Sequence, residues 1–317
     1  MPRSATEPTR LDDAARAGWL YYVAGHTQDE IARTLGVSRQ SAQRLVAMAV
    51  SERLVKVRID HPIGHCMDLG RRLREHFGLA LAEVVPSDPD APELLTGVAI
   101  ATAAELERLL REDEPRIIAL GTGRALKATV EQLSRMSCPQ HSVVSRLGNM
   151  MSDGEATPYN AVIRMADRVG ARHYPFPLPV LVEDRAELRQ LHALGPVRNT
   201  LALCAEADLT VVGIGQIGAH APLVLDGFLT AAEAEALVAR GATGEITSWV
   251  YDRAGRLLDC AHNERVASAA LDCQGTRPMI AVALGAAKVA AIHAAVTGGL
   301  VTGLVTDEAT AERLLAR

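Results

Sequence analysis

The chain is poor in several residue types, and each scarcity narrows what it can be. Only ten of its 317 residues are aromatic and only three are lysine, whereas 48% are hydrophobic. An aliphatic core rich in Ala, Val and Leu suits helices packed on a sheet better than a β-sandwich. The five cysteines, Cys66, Cys138, Cys204, Cys260 and Cys273, form no Cys-x-x-Cys pair, and their number is odd. Neither a disulfide framework nor a zinc module is expected, and the thiols should be reduced and buried. His61 and His65 stand beside Cys66, but Pro62 and Gly64 intervene and no carboxylate completes a ligand set, so no metal or other cofactor is expected. The first ten residues are polar and carry Pro2 and Pro8, without the apolar core of a signal peptide, and no later run reaches membrane-spanning length. The reading is a cytoplasmic protein without membrane partners.

Phosphate-binding and hydrolytic signatures are missing as well: there is no G-x-x-x-x-G-K-[ST], no G-x-S-x-G and no H-E-x-x-H. No nucleophile with a paired base can be named. What is present begins at Thr27. Thr27 and Glu30 make a capping box, Ile31 and Leu35 give an apolar face, Gly36 sits where a helix exits left-handed, and Ser38 is a natural cap for a second helix. This is the layout of a helix-turn-helix. On the second helix Leu45, Met48 and Ala49 should face inward, leaving Arg39, Gln40, Gln43 and Arg44 outside. Guanidinium and amide side chains match the major-groove edges of guanine and adenine, while Ser38 and Ser41 suit phosphates, and Thr27 and Lys56 are also expected among the DNA contacts. Leu54–Ile59 alternates apolar with basic residues, so a wing carrying Lys56 is predicted. Residues 31–58 hold six basic residues against Glu52, a balance of +5 that fits phosphate binding.

Charge divides the chain. Residues 1–60 hold nine Lys/Arg and seven Asp/Glu, or +2, leaving −7 of the total −5 for residues 61–317. A DNA-binding domain over 1–60 and a larger effector and oligomerisation domain over 61–317 are therefore expected, with 61–78 as a linker helix. In the larger part, apolar stretches at 79–85, 116–120, 142–147, 209–214, 279–284 and 300–306 alternate with helical tracts. The pattern predicts an α/β fold, a mostly parallel, Rossmann-like sheet with helices on both faces.

Ligands in such sheets bind beyond the carboxyl ends of the strands, which directs attention to the loops after them. Gly121-Thr122-Gly123-Arg124 follows a strand and opens a helix, so its N–H groups can meet an anion or a polyol hydroxyl. Gly213–Gly218 spells G-x-G-x-x-G, but Pro222 follows where a dinucleotide fold needs a helix, and a crevice-lining loop fits better than a nucleotide site. Lys288, one turn into a helix, can reach an anionic ligand. Glu245 and Arg265 are further candidates, and Asp307-Glu308 is first a helix N-terminal acid pair.

Together the motifs resemble a known family. T-Q-x-x-I-A-x-x-L-G-V-S from Thr27, G-T-G at 121–123, V-V-G-I-G at 211–215, A-P-L at 221–223, G-A-T-G-E-I at 241–246, D-R-x-G at 252–255 and the closing segment Gly298–Ala311 are similar to those of SorC/DeoR-type sugar-binding transcriptional regulators. The resemblance covers nearly the whole chain. It implies a bacterial regulator of carbohydrate or polyol catabolism, with a sugar-phosphate-isomerase-like domain that binds a phosphorylated sugar or polyol and assembles as a homodimer or homotetramer on operator DNA. It carries the effector site to Gly121, Thr122, Gly123, Asn149, Asn160, Glu245 and Lys288. Some relatives hold their sugar through a lysine where this chain has Arg146 and Leu147, so no Schiff base is expected there. The alternative is a sugar-phosphate isomerase or deaminase with a DNA-binding appendage, and turnover of such substrates would distinguish it.

Overall fold

A computed structural model describes residues 10–52, 54, 55, 63–151, 155–157, 159–271 and 277–317. The chain forms two compact units, Met1–His61 and Pro62–Arg317.

The smaller unit contains α1 (Arg10–Tyr22), α2 (Gln28–Leu35) and α3 (Arg39–Ser51). Its core is Ala17, Leu20, Ile31, Ala32, Ala42 and Val46, with Leu35 and Leu45 packed against it. The inward face of α3 is Ala42, Val46 and Ala49. Leu45 and Met48, expected inside, are only half-buried. The predicted wing falls mostly on residues 56–59 and, with Lys56, lies outside the described residues.

The larger unit begins with α4 (Gly64–Phe77), β1 (Leu81–Val85), α5 (Thr96–Leu110), β2 (Ile117–Leu120), α6 (Arg124–Gln132), β3 (Ser142–Met150), α7 (Ala161–Val169) and β4 (Arg172–Pro179). It continues through α8 (Arg185–His192), α9 (Gly195–Glu206), β5 (Leu209–Gly213), β6 (Gly215–Gln216), α10 (Pro222–Leu225) and α11 (Ala231–Ala239). The last third holds β7 (Ala242–Ile246), β8 (Trp249–Asp252), α12 (Ala261–Glu264), β9 (Met279–Val282), α13 (Val289–Thr297), β10 (Gly303–Asp307) and α14 (Glu308–Leu315).

Seven strands form one sheet in the order β1-β10-β9-β5-β2-β3-β4, and every pairing in it is parallel. All four residues of β9 and all five of β10 are buried, as strands covered on both faces must be. On one face Leu69 and Leu73 of α4 join Ile292, Leu304 and Leu314, and on the other Leu106, Leu126 and Met165 cover Ile118, Leu120 and Val211. Truncating one such leucine to alanine costs about 2–5 kcal/mol.

Three features of the larger unit go beyond what the sequence specifies. The helix expected to link the domains is an integral part of the larger unit: Leu69 and Leu73 are buried in its core, His65 Nε2 lies 3.1 Å from Glu312 Oε1, and Cys66 Sγ donates to Glu308. Burial and the nearby Glu308 carboxylate push the Cys66 thiol up to about 12. The sheet also has an edge strand, β4, that its three prolines conceal; Pro175, Pro177 and Pro179 alternate, so the positions lacking N–H fall on one edge of the strand while even-numbered Arg172 and Val180 donate toward β3. Finally, β6-β7-β8 make a separate antiparallel sheet.

Strand order reverses between β2 and β5. From β2 the chain steps outward through β3 to β4, and from β5 it steps the other way through β9 to β10. The crevice of an open α/β sheet lies at such a reversal, where Gly121 follows β2 and Ile214 follows β5.

Candidate functional site

The helix-turn-helix is built by local chemistry. Thr27 N–H donates to Glu30 Oε2 at 2.8 Å and Glu30 N–H returns to Thr27 Oγ1 at 3.4 Å, completing the capping box. Gly36 turns the chain with φ +66°, a conformation that glycine adopts without steric cost. Ser38 Oγ accepts from Ser41 N–H at 3.1 Å and contacts Ser41 Oγ at 2.9 Å. The hydroxyls of Thr27, Ser38 and Ser41 are thus engaged in capping. Arg39, Gln40, Gln43 and Arg44 are exposed together on α3, and Arg39 Nε pairs with Asp29 across the turn at 3.5 Å. This is the outward basic face expected from the sequence.

The larger unit holds a cavity of about 480 Å³ at the sheet's strand reversal. Thr122, Gly123 and Arg124 after β2, Gly213 to Gln216 after β5, Glu245 of β7, and Gly285 and Lys288 after β9 all line it. Gly123 is the N-cap of α6 with φ +111° and provides no side-chain cap, so the helix's first N–H groups are directed at the cavity rather than filled by a hydroxyl. Gly121, Asn149 and Asn160 line a smaller cleft of about 20 Å³ that shares Thr122 and Leu147 with the main cavity. The predicted effector residues therefore fall into two groups. Arg265 lines neither cavity; its guanidinium donates to the Val182 carbonyl at 2.7 Å, a structural bond. Asp307 caps α14 and accepts from Ser87 Oγ at 2.7 Å, so it too is structural.

Charges in the cavity are desolvated. Burial raises the Glu245 carboxyl above its ordinary value, opposed by the Ser248 N–H bond and by Lys288. Burial likewise lowers the Lys288 ammonium, opposed by Glu245 and Glu93. The Lys288 ammonium makes no hydrogen bond or close ion pair among the described residues, with Glu245 and Glu93 as the carboxylates nearest in effect. A half-buried cation without a direct acceptor marks a place where another molecule's acceptor fits.

Several cavity residues carry no motif that would have named them. Asp226 accepts from Tyr159 Oη and lies 3.4 Å from Arg124, and Gln216 Oε1 and Thr247 Oγ1 are buried without hydrogen-bond partners among the described residues. Glu93 and His220 also line the wall. The crevice-lining loop at Gly213–Gly218 was legible; the particular residues were not, because their roles arise from the packing of α10 and of the β7–β8 hairpin.

In G-x-G-x-x-G the second glycine has a local reason. A Cβ on Gly215 would collide with the Glu245 carboxylate, which lies directly against it. The motif continues into β6 instead of a helix, so the glycine admits a side chain where a dinucleotide fold would admit a pyrophosphate.

A helix-turn-helix unit carried on one chain with a cavity-bearing α/β unit defines a class of regulator that couples DNA binding to small-molecule sensing. Residues 61–316 match the family model described as "Putative sugar-binding domain". The chain is 33% identical over 304 residues to the erythritol catabolism regulatory protein EryD of Brucella abortus, covering 96% of each. It is 30% identical to the transcriptional regulator LsrR of Klebsiella pneumoniae, covering 95% of this chain and 92% of that one. The full-length sorbitol operon regulator SorC of Klebsiella pneumoniae has a similar structure, with TM-score 0.69 and 26% identity over 96% of this chain and 99% of that one. The chain belongs to the SorC/DeoR-type family of sugar-binding transcriptional regulators.

Proposed function

We propose that the larger unit binds a polyol or sugar phosphate in the 480 Å³ cavity and that occupancy changes the hold of the helix-turn-helix on operator DNA. The observation that carries this reading is Lys288, a half-buried cation whose ammonium makes no hydrogen bond or close ion pair among the described residues, facing the same cavity as the half-buried Glu245 carboxyl and the uncapped N-terminus of α6. Carboxylates accept from ligand hydroxyls, and a lysine, an arginine and helix N–H groups together suit a phosphate. EryD is named for erythritol catabolism and SorC for a sorbitol operon, which supports a ligand of this chemistry. Two copies or four would place paired readers on an operator, since a single helix-turn-helix with a modest positive balance binds weakly.

Linkage requires that the ligand bind the two DNA-affinity states unequally. The test screens erythritol, sorbitol, sorbitol 6-phosphate and fructose 6-phosphate by thermal shift, then repeats operator binding with and without each hit. A ligand at 100 times its Kd adds about 2.7 kcal/mol, read as a rise of about 5–10 °C in a unit of this size. No shift with any polyol or sugar phosphate would overturn the effector reading. Conversion of a sugar phosphate by the purified protein would favour the enzyme alternative, for which no paired acid and base stands out among the described cavity residues.

A further inference from the structure

The β7–β8 hairpin closes in a turn its own sequence does not favour. Ile246 pairs with Trp249, leaving Thr247 and Ser248 as a two-residue turn with φ +48° and +71°. Both positions of such a turn are left-handed, which is why Asn-Gly is the usual sequence; a β-branched threonine there is uncommon. Something outside the turn must therefore hold it. The Ser248 N–H donates to Glu245 Oε2 at 2.9 Å, and the Ser248 carbonyl accepts from His262 Nε2 at 2.8 Å.

His262 works from a fixed base. It lies on the single turn α12, and the next residue, Asn263, accepts from Val250 N–H at 2.9 Å while donating to the carbonyls of Val250 and Leu258 at 2.8 Å each. Asn263 thereby fastens α12 to β8. A carbonyl can only accept, so the hydrogen of the imidazole is on Nε2, and Nδ1 is a buried acceptor without a partner among the described residues. His262 is not among the cavity-lining residues, yet the turn it holds is: Glu245, Thr247 and Ser248 all line the wall.

We propose that His262 is a positioning residue for the effector site: its bond to the Ser248 carbonyl holds the Thr247–Ser248 turn left-handed and so aims the Glu245 carboxylate into the cavity. This rests on the reading of the cavity as an effector site. Without the imidazole, the turn relaxes toward the right-handed region, the Ser248 N–H moves off Glu245, and the carboxylate loses its anchor.

Hydrogen exchange of the full-length protein tests the positioning without any ligand. His262→Ala should speed exchange of the Ser248 amide about tenfold, and His262→Gln, whose side-chain N–H can donate to the same carbonyl, should restore most of the protection. Thr247→Asn with Ser248→Gly installs a sequence that takes this turn unaided, and in that background His262→Ala should change exchange less than about twofold. Unchanged exchange in His262→Ala, equal sensitivity in the Asn-Gly background, or acceleration spreading equally to β9 and β10 would each overturn the proposal in favour of plain packing. Titration with erythritol and sorbitol 6-phosphate then reads the consequence: wild-type affinity should fall about tenfold in His262→Ala and recover in His262→Gln. Should the wild type bind neither probe, the effector reading fails while the exchange result still decides the role of His262 in holding the turn.

Discussion

Tyr159 donates its phenolic hydrogen to Asp226, with 3.0 Å to each carboxylate oxygen. Burial, and then the Asp226 bond, raise the Tyr159 hydroxyl above its ordinary value, so it stays protonated and keeps donating at neutral pH. Asp226 caps α10 and lies 3.4 Å from Arg124 at the start of α6, so one carboxylate ties the segment after β6 to the opposite wall.

That tie sets up a competition. An anionic effector seated at the N-terminus of α6 would share Arg124 with Asp226, and a half-exposed pair of this kind is worth about 1 kcal/mol or less. Asp226→Asn keeps the size and an acceptor for Tyr159 but removes the competing charge. It should tighten sorbitol 6-phosphate binding by up to about fivefold at low salt, with the gain shrinking as salt screens it, and leave sorbitol binding unchanged or weaker. Isothermal titration at two salt concentrations checks this; equal gains for both ligands would rule out a charge effect.

Glu245 and Lys288 make stability depend on pH in opposite senses. The raised Glu245 carboxyl means the folded protein holds a proton that the unfolded chain has released, so its contribution falls as pH rises from 4.5 through the folded value. The lowered Lys288 ammonium means the folded protein releases its proton first, so its contribution rises with pH between the folded value and 10.5. Replacing both by uncharged groups of similar size, Glu245→Gln with Lys288→Met, should stabilise the protein at neutral pH by about 1 kcal/mol, since both charges are only partly buried. Thermal melts from pH 5 to 9 should be flatter than wild type and respond to no polyol or sugar phosphate. A site that keeps a stability cost of this kind is retained for binding rather than for folding.

Gly215 separates binding from folding more directly. A methyl there collides with the end of a flexible glutamate side chain, which can move, whereas a methyl on Gly148 would meet the backbone of Leu178 and Pro179, which cannot. Gly215→Ala should therefore displace Glu245 and weaken effector binding about tenfold with little change in melting temperature, while Gly148→Ala should cost about 1–3 kcal/mol of stability. Comparing melting and titration data for the two variants checks both expectations.

How much of this was readable in the sequence follows from the range of the interactions. The capping box at Thr27, the turn at Gly36 and the strand-to-helix turn at Gly121–Gly123 are decided within a few residues, and they stand where the spacing puts them. Apolar runs gave the buried parallel strands because those strands are covered on both faces. The edge strand β4 was not legible, since only its position on the open side of β3 makes three prolines tolerable. Asp226, Tyr159 and His262 were not legible either: Asp226 and Tyr159 meet across 67 residues, and His262 acts on Ser248 through a carbonyl, which leaves no mark in the pattern of side chains.

The reader helix yields the prediction that connects the smaller unit to sequence recognition. Arg39 and Arg44 are exposed on α3, while Thr27 has its hydroxyl and N–H engaged with Glu30. If an arginine reads a guanine edge, its removal costs about 1–3 kcal/mol and relaxes preference at one base position; if it contacts a phosphate, it lowers affinity evenly and reduces the salt slope by about one. Arg39→Ala and Arg44→Ala, each measured by fluorescence anisotropy on the operator and on single-base variants across a salt series, assign the two residues to one role or the other. Thr27→Ala is the control for the fold: losing the cap should cost about 1 kcal/mol of stability, with base preference unchanged. A loss of base preference in Thr27→Ala without a loss of stability would put Thr27 back among the DNA contacts, and normal operator binding by the Arg39→Ala, Arg44→Ala double variant would remove α3 as the reader.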